Sequence, residues 1–150
     1  MKLKNRVAKK AMLCCFFITN VVTLMTYLLD IDHFKAVNDE FDHQSGDIVL
    51  VEAAKVLKDN VREIDTIGRW GEEEFLIICP QTTLEEALQL SENLRKQLEN
   101  HRFPIVERKT GSFGVTSYVQ NDTLNVLLSR GDKALYQAKN KGRNCVEYLS

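Results

Sequence analysis

Thr66-Ile67-Gly68-Arg69-Trp70-Gly71-Glu72-Glu73-Glu74-Phe75-Leu76-Ile77-Ile78-Cys79 holds two apolar runs, Thr66 to Trp70 and Phe75 to Cys79, on either side of a short acidic tip. Runs of this length around a glycine-led turn predict a β-hairpin. Working outward, Ser112 to Tyr118 and Cys145 to Leu149 are further strand candidates, and Val21 to Leu29 is a β-branched run that ends at a carboxylate, Asp30. Three stretches carry helical spacing instead. Val49, Ala53, Val56 and Leu57 form one face; Leu84, Ala87, Leu88, Ser91, Leu94 and Leu98 a second; Leu124, Leu127, Leu128, Gly131, Ala134, Leu135 and Ala138 a third. Thr82 or Thr83, followed by Glu85 and Glu86, marks a helix start with acids in its first turn. The order helix, strand, helix, hairpin, helix, strand, helix, strand predicts an α/β (α+β) fold: a central, mainly antiparallel sheet flanked by helices.

The chain has 150 residues, two prolines and no repeat, so residues 1–150 are expected to share one core as a single domain. Twenty basic residues against twenty-one acidic ones leave a net charge of −1, which gives no sign of a nucleic-acid surface. Any phosphate binding has to come from local geometry. The four cysteines, Cys14, Cys15, Cys79 and Cys145, contain no C-x-x-C pair, and read as reduced core residues of a cytoplasmic protein. Residues 11–29 follow a basic start and have the look of a signal peptide or anchor, but Thr19, Asn20, Thr23 and Thr26 interrupt them. A helix to about Ile18, a turn at Thr19-Asn20 and a strand satisfy the same residues, and this non-spanning reading is preferred; a membrane tether is left to the parent protein.

Three groups carry candidate chemistry, and each has an everyday explanation. Asp30 and Asp32 alternate onto one face at a strand end, where carboxylates suit Mg²⁺, although a polar strand terminus ahead of a helix would look the same. Glu72, Glu73 and Glu74 are by themselves a solvated acidic tip; set beside Asp30 they could complete a metal site for phosphoryl transfer. Lys139, Lys141 and Arg143 surround Gly142 where the last helix ends, which equally fits ordinary C-terminal capping.

Together the strings LLDIDHFKAVND, HQSGD, RWGEEEF, SFGVT and DKALYQAKNKGRN, in this order, resemble the GGDEF domain of diguanylate cyclases, and the opening KLKNR resembles the end of that family's N-terminal motif without its first residues. The resemblance implies a nucleotidyl cyclase (ferredoxin-like palm) fold whose hairpin carries the signature. It also implies a homodimer in which each domain holds one GTP, and each 3′-hydroxyl attacks the other nucleotide's α-phosphate to close cyclic di-GMP. By the same resemblance, Asp30, the main-chain carbonyl of Ile31 and Glu73 would hold Mg²⁺ or Mn²⁺, with Glu74 in support. Lys35 would touch the triphosphate, helped by main-chain N–H groups near His33 and Phe34. Lys139 and Arg143 would bind phosphate, Asn38 and Asp47 would read guanine, and Gly71 would stand against substrate. Arg62 and Asp65 match the family's R-x-x-D inhibitory site for cyclic di-GMP; its second arm is missing, since Asn93 stands where some members have arginine, with Arg95 only nearby. An upstream sensor domain is expected in the parent protein.

Two departures stand out. The second signature glycine is Glu72, and a hairpin tip demanding φ > 0 there would cost a non-glycine residue roughly 1–2 kcal/mol. Asp42 replaces a usual glycine, which reads as mild because Asp tolerates turns. The expected function is therefore a cyclase weakened at Glu72. The alternative is an inactive domain that binds cyclic di-GMP or GTP; a purely structural dimerisation domain has no feature in its favour.

Overall fold

The computed structural model describes residues 23–150. The expected helix to Ile18, the turn at Thr19-Asn20, the first residues of the strand at Val21, KLKNR, Cys14 and Cys15 lie outside the described residues. Among those described, the order is β1 (Leu24–Ile31), α1 (Phe34–Phe41), α2 (His43–Asp59), β2 (Thr66–Arg69), β3 (Glu74–Pro80), α3 (Leu84–Asn100), β4 (Gly111–Ser117), α4 (Leu124–Asn140) and β5 (Val146–Leu149). The five strands make one sheet in the order β2-β3-β1-β4-β5. Pairing is antiparallel except between β4 and β5, which run parallel and are joined by the α4 crossover such a pair requires. The mainly antiparallel sheet with helical cover agrees with the sequence reading.

β1 is the centre of the molecule, and all eight of its residues are buried. Its odd-numbered side chains Met25, Tyr27, Leu29 and Ile31 join Ile77, Cys79, Phe113 and Val115 under the apolar faces of α2 and α3. Leu24 and Leu28 join Leu76 and Ile78 on the other face, with Leu128 and Leu135 of α4 packed over them. A strand covered on both sides reads as a continuous apolar run, which is why it could pass for an anchor. Among the described residues no helix is long and apolar enough to cross a membrane. Cys79 is fully buried, and burial pushes its thiol up to about 12, as befits an inert core residue.

Local signals place the helices. Thr83 caps α3 through a capping box with Glu86, while Thr82 bonds the Pro80 carbonyl instead. Gly114 is where α4 meets the sheet: a Cβ there would collide with main-chain atoms of Gly131 and Leu135, so its absence lets helix and strand backbones approach directly. That approach carries the end of α4 to the end of β1.

The break between α1 and α2 corrects one expectation. Asp42 stands at φ 123°, ψ 170°, a region occupied almost only by glycine, so the replacement is not mild. Its own N–H closes α1 on the Asn38 carbonyl at 3.2 Å, and its carboxylate accepts the Ser45 N–H at 2.7 Å to start α2. One residue serves both helices, and tertiary packing rather than turn propensity sets its backbone. Asp42→Gly is expected to raise the melting temperature by about 3–5 °C, because relief of strain outweighs the small loss on replacing an N-cap by glycine. Asp42→Ala keeps the strain and loses the cap, so its melting temperature falls; thermal unfolding of both variants beside the parent checks the sign.

Candidate functional site

The end of β1 gathers the site. Asp30 lies between Glu74 of β3 and Ser112 of β4 in register, and the next residue, Ile31, donates its N–H to the Glu73 carbonyl at 3.1 Å. The hairpin is thereby tied to the strand end, and the Asp30 and Glu73 carboxylates share one electrostatic neighbourhood. Asp30 is 5% exposed and pairs with Lys139 Nζ at 2.6 Å. Burial holds the Asp30 carboxyl above the usual range, against the pull of Lys139, with Glu74 and Asp32 adding to the rise. Burial likewise raises Glu73, followed by the Asp30 charge, with Lys139 offsetting and Glu72 adding.

Two crowded carboxylates beside a main-chain carbonyl fit a hard divalent cation. Among the described residues no three His, Cys, Asp or Glu side chains form a cage. Mg²⁺ does not ask for one, since it is usually held by one or two carboxylates and completes its shell with water and substrate phosphate. Asp32 is not available for such work: at 2% exposure it accepts from Thr110 Oγ1 at 2.6 Å, Ser112 Oγ at 2.7 Å and the Asn144 N–H at 3.1 Å.

The hairpin tip differs from expectation. The Trp70 and Gly71 N–H groups both donate to the Glu74 carbonyl, at 2.7 and 3.1 Å, and Arg69 donates to the Gly71 and Glu72 carbonyls at 3.2 and 2.8 Å. With the turn closed this way, Glu72 does not take a positive φ, so the anticipated left-handed strain is absent. What remains of the substitution is an exposed carboxylate and its bulk. At Gly71 a Cβ would meet the carboxylate end of the Glu74 side chain, which folds under the tip and would have to shift.

After β1, His33 takes a left-handed φ of 56° and starts α1 with no side-chain cap. The first-turn amides of α1 around Phe34 therefore keep the donor capacity that helix starts offer to anions. The Lys35 side chain stands exposed on α1 with no hydrogen bond or ion pair among the described residues. Asn38 is half-buried against Gly46, where any Cβ would strike its side-chain oxygen, and Asp47 lies exposed one residue on.

The basic trio separates. Lys139 faces Asp30, whereas Lys141 gives its ammonium to both Glu147 oxygens at 2.8 Å and belongs to the α4–β5 junction. Arg143 is exposed at φ 67°, its N–H donating to the Ala138 carbonyl at 3.1 Å after Gly142 at φ 114°.

Arg62 and Asp65 also form a built pair. Arg62 Nε and Nη2 reach the Asp65 carboxylate at 3.3 and 3.0 Å, and Nη2 also reaches the Pro80 carbonyl and Thr82 Oγ1 at 3.1 and 2.5 Å. The Asp65 side chain is 0% exposed and that of Arg62 46%, so one guanidinium edge is anchored while the rest faces solvent. It opens on a groove of ≈ 830 Å³ that runs past Lys58 and Arg69 to Asp47 and Phe75. Asn93 is exposed, and Arg95, with a 12% exposed side chain, bonds Glu92, Glu99 and Asn144.

Residues 5–145 match the sequence model described as "Diguanylate cyclase, GGDEF domain". The chain is 40% identical over 128 residues to Diguanylate cyclase A of Treponema denticola, covering 83% of this chain and 34% of that protein. It is 43% identical over 125 residues to the response regulator PleD of Caulobacter vibrioides, covering 79% and 28%. It thus spans about a third of the length of these curated relatives. Among solved structures, the active GGEEF domain of a diguanylate cyclase from Vibrio cholerae superposes with a TM-score of 0.83 at 33% identity, over 94% of this chain and 90% of that one. The GGDEF domain of DgcB from Caulobacter crescentus, in complex with c-di-GMP, gives 0.81 at 27% identity, over 98% and 86%.

The Asp30–Lys139 pair makes stability depend on pH. A carboxyl raised above its unfolded value favours the fold below the ordinary carboxylate range, and that contribution is lost as pH rises through the raised value. Lys139→Met removes the influences that pull Asp30 down, leaving a buried charge without its partner. In metal-free buffer the variant is expected to lose about 2 kcal/mol at neutral pH, less than a fully buried pair because the lysine side chain is 32% exposed. The deficit should shrink as pH falls and Asp30 takes up its proton; urea unfolding over a pH series from neutral into acid measures it.

Proposed function

Because this chain belongs to the diguanylate cyclase GGDEF family, we propose that it condenses two GTP into cyclic di-GMP, as one half of a pair of identical domains, at a rate held down by Glu72. The observation that carries this reading is the gathering of Asp30, Glu73 and Lys139 at the end of β1, just ahead of the open first turn of α1. Two new phosphodiester bonds form, each from one nucleotide's 3′-hydroxyl to the other's α-phosphorus, and each expels pyrophosphate. A single domain with one nucleotide supplies half of these atoms, hence the pair.

The first-turn amides of α1, with Lys35, Lys139 and Arg143, bind the triphosphate. Asp47 accepts from guanine N1–H and N2–H, a donor pair adenine lacks, and Asn38 orients the base alongside. Asp30, the Ile31 carbonyl and Glu73 would hold Mg²⁺ or Mn²⁺, whose chemistry when bound is to neutralise phosphate charge and acidify an attacking hydroxyl. Glu74, under the tip, holds the hairpin in shape through its main-chain carbonyl. GTP as substrate puts the site in the cytoplasm, and the shared length with relatives leaves room for an upstream sensor in the parent protein.

The V. cholerae domain called active has GGEEF where this chain has Gly71-Glu72-Glu73-Glu74-Phe75, a difference only at Glu72. Its negative charge adds to Glu73 and faces an incoming polyphosphate. Glu72→Gly is expected to raise cyclic di-GMP formation by about tenfold or more, a barrier change of about 1.4 kcal/mol. Glu73→Gln in that background should remove it. Chromatography of the products from GTP and Mg²⁺ decides, and undiminished turnover without Glu73 would sink the assignment.

One observation favours a second use. Arg62 Nη1 has no hydrogen bond among the described residues, and Arg62 and Asp65 line the ≈ 830 Å³ groove, which supports binding of cyclic di-GMP there. Calorimetry should find micromolar-range binding that Arg62→Ala weakens at least about tenfold, since a guanidinium–phosphate contact is charge-assisted.

A further inference from the structure

Asp32 and Asn144 lie 112 residues apart and close one network. Asn144 takes a left-handed φ of 47°, directly after Arg143 at 67°. Its N–H donates to Asp32 Oδ2 at 3.1 Å, two residues ahead of the first turn of α1. Its side-chain amide is used at both ends: Oδ1 accepts from Arg95 Nη1 at 2.8 Å, and Nδ2 donates to Glu99 Oε1 at 2.8 Å. Arg95 is itself clamped by Glu92 and Glu99 at 2.8–2.9 Å, so the amide meets a fixed fork on α3. On the other side Asp32 is fixed by Thr110 and Ser112.

We propose that Asn144 is a positioning residue for nucleotide phosphate, which locks the Arg143 turn between the Arg95–Glu99 fork of α3 and the Asp32 carboxylate at the entrance to α1. The inference rests on the reading of the site as a GTP site. Two successive left-handed residues are costly for non-glycine side chains and do not persist without enforcement from their surroundings. Here the enforcement comes from three bonds through one asparagine, while the N–H of Arg143 is held by Ala138. The Arg143 main chain is therefore pinned on both sides, and only its side chain is left to reach an anion. Freed from Asn144, the turn keeps its arginine but loses its fixed place, and binding suffers because ordering must then accompany it.

The test is a double-mutant cycle on binding, read without turnover. Asn144→Gly keeps the left-handed backbone accessible and removes the amide; Arg143→Ala removes the guanidinium. Calorimetry with a non-hydrolysable GTP analogue and Mg²⁺ should show about tenfold weaker binding for Asn144→Gly in the parent background. In the Arg143→Ala background the same change should have less than about a twofold effect. Glu99→Ala, a milder change at a half-exposed side chain, should reproduce the coupling at smaller size and covers the case in which Asn144→Gly fails to fold. Unchanged binding in Asn144→Gly, or a loss of the same size with and without Arg143, overturns the proposal. Failure of the parent chain to bind the analogue overturns the nucleotide site itself, and this inference with it.

Discussion

A carboxylate at the end of a strand buried along its whole length has to be answered by something positive or by a set of donors, because an unpaired buried charge is intolerable. Asp30 is answered by Lys139, and much of the architecture serves that meeting. Gly114 lets α4 lie against β4, the α4 crossover ends at Lys139, and the hairpin is bonded to Ile31 so that Glu73 arrives on the same side. The sheet thus brings together groups from the early, middle and late parts of the chain at one end of its central strand. The energetic tension is left in place there, since burial holds both Asp30 and Glu73 above the ordinary carboxylate range.

Backbone strain is distributed differently from what the signature motif would lead one to expect. The missing glycine at position 72 draws attention, yet the turn closes on the Glu74 carbonyl and is braced by Arg69, so Glu72 keeps a negative φ. The demand falls on Asp42, which separates two helices and whose side chain offsets part of the cost by capping the second. Fold and function are therefore separable at these positions. Asp42 bears on the backbone, whereas Glu72 adds an exposed negative charge beside Glu73.

The parts legible in the sequence were those fixed by local rules. The hairpin, the apolar faces of α2, α3 and α4, and the Thr83 cap each follow from residues within a turn or two of one another. α1 as a separate helix was not legible, because its end depends on Asp42 adopting a conformation that its type disfavours. The part of Asp32 was hidden for a related reason: its partners Thr110, Ser112 and Asn144 lie 78, 80 and 112 residues away, and no short pattern announces them. Lys139 and Lys141 could not be told apart by spacing, since both stand near the end of α4, but packing gives one to Asp30 and the other to Glu147.

Asp30 and Asp32 show how two like residues, two positions apart on one face, come to differ in chemistry. Asp32 is held by three donors, two of them neutral hydroxyls and one a main-chain N–H. Such a carboxylate is structural whatever ligand approaches. Asp30 is held by a single ammonium on a flexible stem that is a third exposed, and a point charge of that kind can be drawn to a phosphate oxygen once another cation takes its place. Under the proposed function such an exchange would leave every charge compensated, with a divalent cation beside Asp30 and Glu73 and the lysine beside phosphate. A replaceable partner on Asp30 beside the fixed donors on Asp32 would let a charged substrate bind and leave without disturbing the sheet that carries the site.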